Sequence, residues 1–406
     1  MPTAAQSPPA AQGSCGARGG LRAARAATAL AFLLTGAVFA TWAARLPALT
    51  GRLALSPGEA SVALVGVEAG ALAGLAGAGR VVSALGSAKS LRLGFAAYPT
   101  ALVATALPPS LAWLVAAMAV MGIANSLIDV ALNVQGVELE RRCARPLLSG
   151  LHSAHSFGVV AGGVGGTLCA AGAVALIAHF AAVAGIALLA SQLRIGALVS
   201  ERREHAGDDA SRRSRRGADE DARRTRRRLV AIGLLASGAF FVEGAAGDWS
   251  AIQMRSVHGA GPGLAGAAFT TFSLALALGR LRADRLVARY GRARFTRAAA
   301  SVAALGAAIV ALSAAAGIAF VGWAVVGAGV AGIAPTLLGA APGAGAIPSS
   351  VAIATVSAIG YAGSFTGPPV IGALATLTGL PVALASLVPA AGAIALFARP
   401  TLDGDA

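Results

Sequence analysis

Amide and carboxylate side chains recur inside otherwise apolar stretches of this 406-residue chain. Asn125, Asp129 and Asn133 are spaced four residues apart, which places them on one face of an α-helix. A carboxylate between two amides is suited to binding a proton or to hydrogen-bonding a polar solute. The same stripe would also hold its helix to a neighbouring helix by hydrogen bonds. Both interpretations stay open at this point.

Three further acidic residues lie in apolar runs. Glu243 lies near the middle of its run, and we expect it to be a second titrating group. Asp248 lies close to the end of that run, where an ion pair with Arg45 or Arg255 is the favoured interpretation. Glu68 is as compatible with a packed, protonated carboxyl group as with a proton-binding site.

Aromatic and basic side chains add two more candidates for solute contact. Trp42 and Arg45 lie one helical turn apart, and their aromatic face and guanidinium group suit sugar rings and anions. An interfacial tryptophan with a snorkelling arginine would give the same pattern. Tyr361 lies in a polar stripe with Ser357 and Ser364, which would serve either a solute or helix packing.

Histidines and cysteines show no metal-binding spacing. His152 and His155 lie near the start of one run, where a proton relay and a solvated or capping role are both open. No third ligand accompanies them, and the cysteines Cys15, Cys143 and Cys169 are scattered. We therefore expect neither a metal site nor a disulfide framework.

The composition is that of a membrane protein. Hydrophobic residues make up 56% of the chain and charged residues 12%, against about 25% charged residues in an ordinary soluble domain. A membrane-spanning helix needs about 20 apolar residues. Twelve runs of about this length are predicted as spans: 26–44, 59–79, 91–107, 111–136, 147–170, 173–195, 229–250, 262–280, 296–316, 319–340, 349–376 and 380–397.

Basic residues orient these spans. With the N-terminus inside, only Arg45, Arg52 and Arg255 of the 32 Lys and Arg residues fall at outer ends, which leaves 32 − 3 = 29 on the inner side. Both termini are therefore expected to be cytoplasmic. The predicted organisation is a disordered tail at 1–21, six-helix bundles at 22–199 and 229–398, a flexible charged linker at 200–228 and a tail at 399–406.

The two predicted bundles share landmarks at a nearly constant offset. The offset is 207 residues for one pair, 205 for two pairs and 204 for the last. The pairs are Trp42 with Trp249, Arg80 with Arg285, Gly86 with Gly291, and Ser153 with Ser357. Paired six-helix repeats are the construction of many secondary transporters, with the solute site at the midplane between them.

The loop after the eighth predicted span, GRLRADRLVARYGRARF at 279–295, resembles the cytoplasmic loop signature of the major facilitator superfamily. The resemblance implies that this loop acts as a latch that stabilises one facing state of the transporter. The first-half copy, GRVVSALGSAK at 79–89, has Gly79 where the second half has Asp284, so the latch is expected to be stronger in the second half. The matching latch positions are Gly279, Asp284, Arg285, Arg289, Gly291, Arg292 and Arg294.

A narrower resemblance covers most of the helical region. The segments 41–49, 129–158 and 243–251 resemble the YbjJ/MosC-like branch of bacterial inner-membrane facilitators, whose solutes are poorly defined. The superfamily's usual arginine in the fourth span is missing, so the resemblance implies no proton coupling through that residue. The superfamily fold does imply that spans one, four, seven and ten line the central path.

These observations predict a proton-coupled secondary transporter, a monomer in the inner membrane, that moves a small polar, sugar-like solute. Efflux of drugs or metabolites is the alternative, and a transporter-like sensor is an alternative of another class. The sequence has no GxxxxGK[ST] phosphate loop, and the spans show neither a nucleophile–base pair nor a metal set. We therefore expect no enzyme activity, no cofactor and no nucleic-acid partner; the expected partners are the lipid bilayer, the solute and protons.

Overall fold

The computed structural model describes residues 15–55, 57–107, 110–199, 215–345 and 347–403. The first half holds seven helices: α1 (Cys15–Ala44), α2 (Leu46–Arg52), α3 (Pro57–Leu85), α4 (Ser87–Thr105), α5 (Leu111–Cys143), α6 (Leu148–Ala171) and α7 (Leu176–Arg194). The second half holds eight: α8 (Arg215–Ser256), α9 (Pro262–Tyr290), α10 (Arg292–Ala311), α11 (Ala316–Val330), α12 (Ile333–Ala340), α13 (Ser349–Thr378), α14 (Leu380–Leu384) and α15 (Leu387–Leu402).

These helices form twelve membrane spans. Nine of the spans in the described ranges are both long enough and apolar enough to cross a bilayer. The other three, α4, α9 and α13, have sufficient length but carry more polar residues. The α11–α12 and α14–α15 pairs each make one interrupted span. The prediction of an all-helical membrane protein built from two six-span bundles is confirmed.

Glycines at the helix junctions explain part of the sequence repeat. Gly86 separates α3 from α4 and Gly291 separates α9 from α10, and both have a φ of 80°. A side chain disfavours this left-handed region, whereas glycine adopts it readily. The predicted pairing of Gly86 with Gly291 therefore corresponds to two equivalent helix junctions.

The most extensive contacts between the halves are those of α3 with α13 and of α6 with α9, and smaller ones join α5 with α13 and α6 with α12. The two most extensive contacts reach the end of the bundle where α5 ends, α6 begins and α9 meets α10. Several arginines lie at this end, which we call the basic end: Arg141, Arg145, Arg289 and Arg292. The opposite end carries the α1–α2 and α6–α7 turns.

Two helices begin earlier than the sequence predicts. Helix α1 starts at Cys15, inside the predicted disordered tail, and residues 1–14 lie outside the described part of the chain. Helix α8 starts at Arg215, so residues 215–228 are helical where a flexible linker was predicted. Residues 200–214 also lie outside the described part. Arginine and glutamate are good helix formers, and a helix already nucleated in the membrane extends through them at low cost.

The helix interruptions also differ from the prediction. The GSFTGPPVIG stretch at 363–372 combines glycines with two prolines, residues that weaken a helix, yet α13 runs through it without a break. The break lies instead at Ala331 and Gly332, between α11 and α12, where both residues are buried. An unwound segment inside a membrane protein needs partners for its backbone groups, so this break indicates a specialised site.

Candidate functional site

The polar stripe on α5 connects two helices of the first half. Asn133 is fully buried, and its Nδ2 donates to Oδ1 of Asp129 at 3.1 Å. Asn133 Oδ1 lies 3.0 Å from Nε2 of His152 on α6. Because the Asn133 oxygen only accepts, Nε2 of His152 is the donor in this arrangement. Asn125 lies half-buried one turn earlier on the same face of α5.

Asp129 has an unusual environment for a carboxyl group within a membrane span. Its contacts are the Asn133 amide and its own helix, and no lysine or arginine of the described ranges lies within ion-pair distance. A carboxylate without a neighbouring cation is costly in this environment. Asp129 is therefore a group that a proton would neutralise with little rearrangement of its neighbours.

Glu243 on α8 has the opposite environment, because it is paired with Arg280 on α9. Arg280 Nη2 donates to both carboxylate oxygens of Glu243, at 2.8 and 3.0 Å. The arginine is only 6% exposed. Such charge-assisted contacts are stronger than neutral hydrogen bonds and fix the guanidinium plane.

Arg280 also reaches beyond this ion pair. Its Nε donates to the carbonyl oxygen of Ala331 at 3.1 Å, which satisfies the backbone at the α11–α12 break. Its Nη1 donates to Oγ of Ser156 at 2.9 Å, and Ser156 lies on α6 in the other half. Sequence reasoning missed this residue because Arg280 falls within the segment assigned to the loop signature, directly after Gly279. The available signal was its place directly after an apolar run.

Tyr361 on α13 lies within electrostatic range of two carboxyl groups, those of Asp129 and Glu243. Its ring stacks on Phe240 with a centroid distance of 5.1 Å, and Phe365 extends the stack at 6.3 Å. The structure thus brings Asp129, Glu243 and Tyr361 together as one polar cluster with an aromatic wall.

Trp42 and Arg45 lie elsewhere, at the opposite end of the bundle. Both are buried, and Arg45 Nη2 donates to the carbonyl oxygen of Val174 in the α6–α7 turn at 2.8 Å. This contact directs the guanidinium toward α7. The predicted ion pair of Asp248 with Arg45 or Arg255 is wrong, because Asp248 is exposed and lies within electrostatic range of Glu68 instead.

Asp284 contacts the first turn of α6 across the boundary between the halves. Its Oδ1 accepts from the backbone N–H of Ser149 at 3.0 Å, and its Oδ2 from that of Gly150 at 2.7 Å. The preceding N–H groups, of Leu147 and Leu148, donate to Oε1 of Glu140 at 2.8 and 2.9 Å. Two carboxylates from different halves thus satisfy donors that a helix N-terminus leaves unpaired.

The other latch positions surround this contact. Arg292 Nη2 lies 3.6 Å from Oε2 of Glu140, a second link between the halves. Arg285 and Arg289 are exposed, Arg289 lying over the ring of Tyr290, and Gly279 packs closely against Ala331. A cavity of about 720 Å³ opens on the basic side of these contacts, and its lining includes Glu140, Arg141, Arg145, Gly291, Arg292 and Ser349.

The first-half equivalent of Asp284 makes a different contact. A Cβ atom added to Gly79 would lie 3.0 Å from the carbonyl oxygen of Ser350 and 3.0 Å from Cα of Val351, both on α13. We call this contact of α3 on α13 the Gly79 seam and that of α9 on α6 the Asp284 seam. Together the two seams close the bundle at the basic end.

Twelve spans in two related halves, closed at one end over a polar cluster, define a multi-pass membrane transporter. The sequence profile of the Major Facilitator Superfamily matches residues 27–344, and the chain belongs to this superfamily. An uncharacterized MFS-type transporter of Yersinia pestis is 29% identical over 358 residues, 88% of this chain and 90% of the relative. Membrane protein MosC of Rhizobium meliloti is 26% identical over 377 residues, 93% of this chain and 89% of MosC. The narrower resemblance to the YbjJ/MosC-like branch is thereby confirmed.

Solved structures share the fold. The transporter FucP in its outward conformation superposes with a TM-score of 0.75 at 15% identity, covering 93% of this chain and 98% of FucP. The proton:xylose symporter XylE, bound to 6-bromo-6-deoxy-D-glucose, gives a TM-score of 0.72 at 17% identity, with 94% and 95% coverage. At these identities the likeness concerns the fold.

Proposed function

We propose that this chain is a proton-coupled secondary transporter of a small polar, sugar-like solute in the bacterial inner membrane. The observation that carries the proposal is the cluster of Asp129, Glu243 and Tyr361 at the boundary between the halves. The cluster contains a carboxyl group without a neighbouring cation, that of Asp129, and an ion-paired carboxyl group, that of Glu243. Both lie near an aromatic wall. The neighbouring folds of XylE, named as a proton:xylose symporter, and FucP are consistent with this function.

The chemistry of the cluster favours a neutral, hydroxyl-rich solute. Arg280 already donates to Glu243, Ser156 and Ala331, so its charge is balanced within the protein. The remaining groups, Asp129, Asn125 and the Tyr361 hydroxyl, are acceptors or mixed donors that suit hydroxyl groups. The stacked rings of Phe240 and Tyr361 offer an apolar face for the C–H side of a sugar ring.

The proposed orientation places the basic end in the cytoplasm, because positively charged loops remain on that side of the membrane. The termini then also face the cytoplasm. With the Asp284 and Gly79 seams closed, this structure corresponds to a state open or opening toward the outside. Alternating access would proceed by rocking of the two halves about the cluster, with the chain acting as a monomer.

Asp129→Asn tests the proton-binding role. The amide imitates the neutral carboxyl group, so accumulation of solute driven by a pH gradient is expected to fall to the background of empty liposomes. Solute exchange without a gradient is expected to persist, since exchange needs no net proton movement. Both are measured as uptake of labelled solute into proteoliposomes, after a thermal-stability screen of sugars, polyols, amino acids, organic acids and cationic drugs identifies the solute.

Asp248→Asn is the matched control, because Asp248 is an exposed carboxyl group outside the cluster. It is expected to transport as the native protein does. Unchanged gradient-driven accumulation in Asp129→Asn would show that Asp129 is structural. If lipophilic cations alone stabilised the protein in the screen, the proposed transport of a sugar-like solute would be wrong. Efflux of such cations would then be the supported function.

A further inference from the structure

Arg280 contacts three separate parts of the protein, which is more than an ion pair requires. From α9 it binds a carboxylate on α8, the backbone at the α11–α12 break, and a hydroxyl group on α6 in the other half. The side chain is buried at this meeting point. Its contact with Ser156 lies deeper in the bundle than the Asp284 seam, on the same pair of helices.

The geometry of the guanidinium group makes these contacts depend on one another. The group is planar and its donors keep fixed directions, so fixing one edge fixes the others. Glu243 holds Nη2 through both oxygens, and this directs Nη1 at Ser156 and Nε at Ala331. The contact of Arg280 with Ser156 therefore depends on where Glu243 holds the guanidinium group.

We infer that Arg280 is the positioning residue through which a proton on Glu243 loosens the contact between the two halves. While Glu243 is ionised, Arg280 is held against Ser156 and the basic end is closed. A proton taken from water onto a Glu243 oxygen weakens the ion pair, frees the guanidinium to turn, and releases both Ser156 and the α11–α12 break. The inference rests on the proposed function, because it concerns the same transport cycle.

Other titratable groups surround this pair and share its field. Tyr361 lies within the field of Glu243, and two histidines of α6 lie within the field of Arg280. These neighbours are His152 and His155 on α6 and Tyr361 on α13, and Tyr361 also lies within the field of Asp129 on α5. A pH response of the whole protein therefore contains several contributions, and the experiment must isolate the one from Glu243.

The test measures opening of the basic end directly in the full chain in lipid nanodiscs. Spin labels on Ala84→Cys and Ala288→Cys, exposed positions at the basic ends of α3 and α9, report the distance between the halves. The native cysteines are replaced by serine. Ser156→Ala is expected to raise the ratio of the long-distance to the short-distance population roughly tenfold, because it removes a hydrogen bond to a charged group.

Two conservative variants and one control make the result specific. Arg280→Lys keeps the charge but not the planar fork, so it is expected to open the basic end as Ser156→Ala does. Glu243→Gln is expected to open it as well, and to respond less to lowered pH than the native protein. Ser153→Ala is the matched control: Ser153 lies one turn earlier on α6 and donates within its own helix, to Gly150, so no change is expected.

If Ser156→Ala and Arg280→Lys show the same distances as Ser153→Ala at every pH, the inference is overturned. An unchanged pH response in Glu243→Gln would overturn it equally. The distance measurement needs no solute. A shifted equilibrium without any transport would therefore contradict the proposed function and leave the role of Arg280 intact.

Discussion

The charged residues within the membrane spans differ in the groups that they contact. Glu243 and Arg280 neutralise each other at 2.8 Å, whereas Asp129 has an amide partner. Burying one charge of a pair alone costs several kcal/mol, so each partner keeps the other in place. Under the proposed mechanism, this difference separates a group that would take up a proton with little rearrangement from one whose protonation would move its neighbour.

The sequence predicted these carboxyl groups but not their partners. Asp129 and Glu243 are evident as rare charges in apolar runs, whereas Arg280 is one of many arginines in its segment. Its burial depends on the approach of α6, α8 and the α11–α12 break, which are far apart in the sequence. Trp42 and Arg45 show the converse case, because helix rotation, which spacing alone does not determine, directs Arg45 toward Val174.

Asp284→Asn is the prediction that belongs to the latch residue. The variant loses the charge that faces the α6 N-terminus, an interaction of about 1 kcal/mol or more, and weakens the Asp284 seam. Turnover is expected to fall severalfold while solute binding, measured by thermal stabilisation, stays near the native value. Arg282→Gln, an exposed change on the same helix outside the latch positions, is expected to do neither. Equal losses of turnover and binding in Asp284→Asn would contradict a latch.

At the scale of elements, the membrane spans were predictable because length and apolar character are local properties. The interruption at Ala331 and Gly332 was not, since it depends on the hydrogen bond from Arg280. The segment 363–372 contains two prolines, yet α13 stays helical there. Membrane helices tolerate proline where neighbouring helices or side chains satisfy the carbonyl groups that it leaves free.

Close packing of α1 and α6 gives a test of element stability. A Cβ atom at Gly158 would overlap the backbone of Leu33, whereas one at Gly163, also on α6, meets nothing within 4 Å. Gly158→Ala is therefore expected to lower stability by about 1–3 kcal/mol, as overpacking does. Gly163→Ala is expected to be neutral or slightly stabilising, because alanine favours a helix. Thermal unfolding in detergent measures both, and equal melting temperatures would contradict this packing.

At the scale of the whole molecule, the two halves repeat each other in fold but not in their seams. Equivalent positions place a carboxylate on α6 at one seam and a glycine against α13 at the other. The sequence did predict this inequality from the Asp284 and Gly79 pair. The sequence did not predict that Gly79 forms a close helix contact, because such a contact between backbones is marked in the sequence only by the absence of a side chain.

Gly79→Leu tests the Gly79 seam. The added side chain would force α3 and α13 apart at the basic end. Modification by a membrane-impermeant reagent of a cysteine introduced as Ser350→Cys, a position buried in the closed seam, is therefore expected to accelerate several-fold. Gly77→Leu is the matched control, because a Cβ atom there meets no atom within 4 Å. Equal modification rates in the two variants would show that the Gly79 seam does not hold the closed state.

The two kinds of seam also imply an order of events when the basic end opens. A carboxylate on a helix terminus is weakened by dissolved salt, whereas contact between a glycine and a facing backbone is indifferent to it. Salt, or any change of charge near Asp284, is therefore expected to weaken the Asp284 seam and to leave the Gly79 seam unchanged. When the basic end opens, α6 and α9 would then separate first, and the remaining contact of α3 with α13 would act as the hinge of the movement.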